Sequence, residues 1–201
     1  MMRVTVFDYG AGNLHSLAKA LEGDGRDVRF ETSPRAAVET DVLVLPGVGA
    51  FAPAAAALAS GRAEMQAAIQ GGMPCLGICL GMQLLFESSA EGDGEGLGIF
   101  SGGVEKLRAR QTPQIGWNTI DDTLDPLFAA ARLDIAYYAN SYVCRPANEG
   151  IVTAWSTHEH DRFAAAVRLG NTVGVQFHPE KSSAPGLRFI RHFLKCLPSR
   201  P

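Results

Sequence analysis

The run Gly77-Ile78-Cys79-Leu80-Gly81 places a sulfur nucleophile between two glycines, directly after the apolar stretch 73–78 and before the helix-forming stretch 82–87. A strand that passes at once into a helix must make a strained turn, and small flanking residues let that turn hold its central side chain above a sheet. Cys79 is therefore the candidate nucleophile. The helix start beyond it favours thiolate, and the N–H of Leu80 is placed to donate to an oxyanion. The other three cysteines, Cys75, Cys144 and Cys196, lie outside any such turn and read as buried structural thiols. So few cysteines in a chain of this length predict no disulfide framework.

A thiol nucleophile needs a base. His178 closes the strand-like run 172–177 and sits within Gln176-Phe177-His178-Pro179-Glu180. Pro179 stiffens the exit, and Glu180 is near enough to hold one imidazole nitrogen while the other faces sulfur. In a parallel sheet the carboxyl ends of the strands share one edge, which lets Cys79 and His178 meet although they are far apart in the chain. The remaining histidines, 15, 158, 160 and 192, read as structural or surface residues. His158-Glu159-His160 has no matching third ligand, so no metal site is expected.

Two glycine-rich turns complete the set. Pro46-Gly47-Val48-Gly49 follows the strand-like run 41–45 and would bring backbone N–H groups to the same sheet edge, with Val48 as the second donor of an oxyanion hole. Gly10-Ala11-Gly12 lacks the third glycine of a dinucleotide-binding turn, since His15 occupies that place, so no NAD site is predicted.

Positioning these residues requires a sheet, and the chain alternates accordingly. Strands are predicted near 3–8, 27–31, 41–45 and 74–78, and helices near 13–23, 52–70 and 80–87. Such alternation predicts an α/β fold with a parallel sheet covered by helices. The second half offers strands near 98–107, 114–120, 134–142, 151–155, 163–169 and 172–177, some of them antiparallel, and a closing helix near 184–196. The acidic, glycine-rich segment 88–96 reads as a loop. No repeat or linker divides the 201 residues, 46% of them hydrophobic, which predicts one domain over 1–201.

Composition removes several classes of function. A net charge of −3 with scattered Lys and Arg offers no surface for a nucleic acid. The first residues lack the tripartite order of a secretory signal, so a cytoplasmic protein is expected. Residues 42–61 are uncharged and about as long as a membrane span, but Pro46, Pro53 and Gly47-Val48-Gly49 interrupt them. They read instead as strand, turn and helix.

Taken in order, Pro46-Gly47-Val48-Gly49, Gly77-Ile78-Cys79-Leu80-Gly81-Met82-Gln83 and His178-Pro179-Glu180 resemble the class I glutamine amidotransferases along nearly the whole chain. Three further segments resemble, more narrowly, the glutaminase subunits of imidazole glycerol phosphate synthases. They are Asp8-Tyr9-Gly10-Ala11-Gly12-Asn13, Pro113-Gln114-Ile115-Gly116-Trp117-Asn118 and the Lys181-Ser182 that extends His178-Pro179-Glu180. The resemblance implies a flavodoxin-like sheet, glutamine as substrate and no cofactor. It also implies a heterodimer with a (β/α)8-barrel cyclase that receives the ammonia for histidine biosynthesis. By matching positions, Gly47, Gly49, Gln83, Ser141 and Tyr142 would hold glutamine, while Asn13, Trp117, Asn118 and Lys181 would face the partner. The chain departs from the family at Asn140, where a histidine usually precedes the Ser-Tyr pair. The glutaminase of pyridoxal phosphate synthase shares the triad but does not account for the Trp117 segment. A non-enzymatic redox sensor would need only the cysteine.

Overall fold

The computed structural model describes residues 1–10, 12 and 14–197. The first half runs β1 (Met2–Phe7), α1 (His15–Leu21), β2 (Arg26–Glu31), α2 (Pro34–Ala37), β3 (Val42–Leu45), α3 (Phe51–Leu58), α4 (Arg62–Gln70), β4 (Cys75–Ile78) and α5 (Leu80–Leu84). The second half adds β5 (Ser88–Ser89), β6 (Gly102–Lys106), β7 (Gln114–Thr119), α6 (Pro126–Ala131), β8 (Ile135–Asn140) and β9 (Tyr142–Pro146). It closes with β10 (Val152–His158), β11 (Asp161–Leu169), β12 (Thr172–Val175) and α7 (Ser183–Lys195).

Seven strands form the central sheet in the order β10-β11-β12-β4-β3-β1-β2. The five from β12 to β2 are parallel, and β11 and β10 extend them antiparallel. The inner strands β3, β4 and β12 are buried along their whole length, as expected of parallel strands covered on both faces. The period-2 alternation of side chains builds two cores. Val4, Val6, Val42, Val44, Leu76, Ile78, Val173 and Val175 pack with α1, α6 and α7. Leu43, Leu45 and Cys75 pack with α3, α4 and α5 on the other face.

Several predicted boundaries shift for local reasons. The helix expected over 52–70 is two helices joined by a 3-10 turn, Ala59–Gly61. Gly61 sits so close to α2 that a Cβ there would lie 2.8 Å from the Pro34 Cβ, which fixes the bend. The helix expected over 80–87 stops at Leu84. Its last turn tightens through Leu85 N–H to Met82 C=O and Phe86 N–H to Gln83 C=O, and Glu87 N–H then pairs with Gly102 C=O. The predicted strand 134–142 is two strands in different sheets, β8 and β9, with the chain turning at Ser141. Cys75 and Cys144 are buried as expected, but Cys196 is exposed, because it lies just past the end of α7. Among the described residues no helix is long and apolar enough to cross a membrane.

Candidate active site

Sheet register brings the predicted residues together. Val175 of β12 lies opposite Ile78 of β4, and Leu45 of β3 lies opposite Gly77. The segments just beyond, 46–49, 79–81 and 176–180, therefore leave the same edge side by side.

Cys79 occupies the strained turn, with φ 48° and ψ −104°. A non-glycine residue there carries strain on the order of 1–3 kcal/mol, held by its surroundings. The two flanking glycines are what permit it. A Cβ on Gly81 would fall 1.9 Å from the Leu45 carbonyl oxygen, and one on Gly77 would fall 2.7 Å from the Gly81 carbonyl oxygen. The Cys79 N–H donates to Val175 C=O at 2.7 Å, which ties the turn to β12.

His178 is 2% exposed, and its Nδ1 lies 2.8 Å from Glu180 Oε1. Burial opposes a charge on this ring. The Cys79 sulfur and the Glu180 carboxylate, both in hydrogen-bonding reach, outweigh burial and push the His178 pKa up to about 10. The ring is thus held as imidazolium beside the Cys79 sulfur, with Nδ1–H donating to Glu180 Oε1. Gly47 fits between nucleophile and ring. A Cβ there would lie 2.9 Å from both Cys79 Cβ and His178 Cε1, so only glycine leaves sulfur and imidazole in contact.

The oxyanion candidates flank this pair. Leu80 is the first residue of α5, and Val48 is half-buried beside Gly47. Val48 is not among the described non-glycine residues with positive φ, whereas Gly49 has φ 106°. The Val48 side chain beds against Gly12, where an added Cβ would come within 2.7 Å of Val48 Cβ. Gly12 therefore makes room for the side chain of the second candidate donor.

Gln83 is 4% exposed, and its Nε2 donates to Tyr142 C=O at 3.2 Å, which joins two of the predicted glutamine-binding residues. Ser141, half-buried, links β8 to β9 and accepts the Leu107 N–H. Asn140 donates through Nδ2 to the same Tyr142 carbonyl. Asn118 donates to Thr157 C=O, so its side chain serves the fold as well as the surface. Trp117 is 55% exposed, packs edge-on against Tyr137 with ring centroids 6.2 Å apart, and belongs to no core. Lys181 is exposed on the turn after Glu180. Asn13 lies outside the described residues. The pair His158 and Glu159 holds a loop, with His158 Nε2 at 2.9 Å from Gln111 C=O and the Glu159 carboxylate accepting the Arg110 and Gln111 N–H groups.

Sequence reasoning missed two supports of the base and one neighbour of the sulfur. Ser182, fully buried, accepts the Tyr137 N–H and donates to His178 C=O, and His178 N–H donates to Tyr137 C=O. The loop carrying the base is thereby laced to β8. Gln176 reaches Cys79 directly, its Nε2 donating to Sγ at 3.4 Å. Its signal was available: a polar residue in a run of buried apolar ones, two positions before His178 and so on the same side of the strand.

Residues 5–196 match the family model of class-I glutamine amidotransferases. The chain is 39% identical to the imidazole glycerol phosphate synthase subunit HisH of Trichodesmium erythraeum, with 98% of this chain and 97% of that protein covered. It is 42% identical to the HisH subunit of Nocardia farcinica, with 96% and 98% covered. Among solved structures, PurLQS from Thermotoga maritima superposes with a TM-score of 0.75 at 20% identity, over 97% of this chain and 99% of that one. A glutamine amidotransferase superposes with a TM-score of 0.74, also at 20% identity, over 96% and 97%.

Proposed function

The chain belongs to the class-I glutamine amidotransferases, and from that premise we propose how its site works as the glutaminase subunit of an imidazole glycerol phosphate synthase. The supporting observation is the wedge at Gly47, where nucleophile and base meet across the one residue that has no side chain to part them.

Cys79 thiolate attacks the side-chain amide carbon of glutamine, and the developing oxyanion is met by the N–H groups of Leu80 and Val48. His178, protonated at this stage, gives its proton to the departing ammonia. The neutral ring, held by Glu180, then takes a proton from water as water attacks the thioester carbonyl. The C–S bond breaks with its electron pair returning to sulfur, and glutamate leaves. Gly47, Gly49, Gln83, Ser141 and Tyr142 hold the substrate. Ammonia passes to a (β/α)8-barrel cyclase docked on the face carrying Trp117, Asn118 and Lys181, in the cytoplasm.

The test divides the two halves of the reaction. Cys79→Ala should cut glutamine-driven synthesis by at least about 10⁴-fold while leaving synthesis from ammonium salts with the cyclase intact. Loss of both activities, or retention of both, would refute the assignment.

A further inference from the structure

We propose that Gln176 is a further catalytic residue, whose carboxamide N–H donates to the Cys79 sulfur and holds it as the attacking and departing thiolate. The proposal rests on the reading of Cys79 as nucleophile.

Gln176 is fully buried, between Val175 and Phe177, which are likewise fully buried. Strand pairing does not require its side chain, because the backbone N–H already donates to Ala165 C=O. Leaving a carboxamide in such a place without partners is costly, so what the amide touches explains its presence. It touches two things. Nε2 lies 3.4 Å from Cys79 Sγ, and Oε1 lies 3.5 Å from Gln83 Nε2.

Which end of the amide faces sulfur follows from a third group. Gln83 Nε2 also donates to the Tyr142 carbonyl, which can only accept. Turning Gln83 over would set its Oε1 against that carbonyl oxygen. With Gln83 fixed, turning Gln176 over would set two NH₂ groups against each other. The backbone carbonyl of Tyr142 thus orients Gln83, Gln83 orients Gln176, and Gln176 presents N–H to Sγ.

A thiol or a thioester sulfur accepts a hydrogen bond weakly, whereas a thiolate accepts a charge-assisted one. The Gln176 contact is therefore strong before attack, weak in the glutamyl thioester, and strong again as the C–S bond breaks and sulfur takes the electron pair. His178 approaches the same sulfur with its own proton in use for ammonia or water. Gln176 has no proton to give up and stabilises sulfur at both charged stages.

The experiment uses the full chain in complex with its cyclase. Iodoacetamide alkylation of Cys79, located by peptide mass so that exposed Cys196 does not interfere, is followed from pH 5 to 10 for wild type and Gln176→Met. A donor lost from the thiolate should raise the midpoint of the alkylation profile by about one pH unit, a roughly 10-fold loss of thiolate below it. Glutaminase kcat should fall about 10- to 100-fold with KM little changed. Gln176→Glu keeps the acceptor for Gln83 at the same length. It should move the midpoint at least as far, and it serves as the second variant should Gln176→Met fail to fold. An unmoved alkylation profile in a folded variant, whatever happens to melting temperature or activity, overturns the proposal, since a packing role would leave the thiol untouched. Cys79→Ala run alongside separates the two levels. If it still hydrolyses glutamine, the nucleophile assignment itself falls.

Discussion

His178 and Glu180 illustrate how two residues divide one task. Burial alone would hold His178 neutral, and the sulfur and the carboxylate together reverse it, raising its pKa from an ordinary 6.5 to about 10. A histidine whose folded pKa is raised contributes stability that is complete below pH 6.5 and is lost as pH climbs toward 10. Glu180→Gln removes one of the two raising partners, so the His178 Cε1–H resonance should titrate at lower pH, and the stability it contributes should disappear earlier on the alkaline side. Glutaminase activity should fall about 10²-fold less than in His178→Ala, because an amide still holds the ring whereas nothing replaces it. An unmoved titration, or equal losses in the two variants, would give Glu180 another role.

At the scale of elements, the ribbon β7–β8 carries the surface that faces away from the body of the protein. Ile115, Trp117 and Ile135 are exposed on it, and Trp117 stands against Tyr137 of the paired strand. Trp117→Ala should weaken cyclase association about 10- to 100-fold, the effect of losing an aromatic anchor. The isolated chain should unfold within about 0.5 kcal/mol of wild type, as for other exposed positions. A large drop in stability would place the ring in the fold instead. The sequence pattern already contained the inner strands, the elbow and the His-Pro-Glu turn, because buried β-branched runs and paired glycines are local signals. It did not disclose α2 and α6. Both begin with a capping side chain followed by proline, at Ser33-Pro34 and Asp125-Pro126, yet they are too short to show a helical period. Nor did it separate β8 from β9, since Asn140-Ser141-Tyr142 reads as one continuous strand until tertiary pairing divides it. Gln176 and Ser182 escaped for a related reason: what each one does depends on a neighbour distant in the chain.

Across the whole molecule, the two proposed oxyanion donors follow different strands and differ in readiness. Leu80 is fixed by the elbow. In the proposed mechanism the Gly47-Val48 peptide rotates so that the Val48 N–H meets the oxyanion, which would drive a β-branched residue toward positive φ at a cost of roughly 1–3 kcal/mol. In the proposed complex, contacts from the cyclase and its substrate would offset that strain. Val48→Gly should therefore raise glutamate release by the isolated chain by roughly 5- to 150-fold, at 1.4 kcal/mol per factor of ten, and reduce its dependence on the partner. A wild-type chain fully active alone would remove the need for such a switch.

The ribbon has one more property. β7 and β8 pair with each other outside the central sheet, and at one end Gln114 sits opposite Asn140. Both Gln114 side-chain polar atoms and Asn140 Oδ1 are buried with no hydrogen-bond partner among the described residues. Each costs on the order of 1–3 kcal/mol in the closed state and is relieved when water enters, so this end of the ribbon opens more readily than the part of β8 that Ala136 and Tyr138 anchor in the core. Opening it releases Tyr137, whose carbonyl and N–H hold the His178 and Ser182 ends of the base loop. Amide hydrogens of β7, β8 and His178 should then exchange with deuterium as one cooperative unit, well ahead of β4 and β12, and slow together when the cyclase binds. Local melting would then act beside the strained Val48 turn in idling the enzyme between encounters: an unaccompanied chain loses its base and its docking face in the same fluctuation.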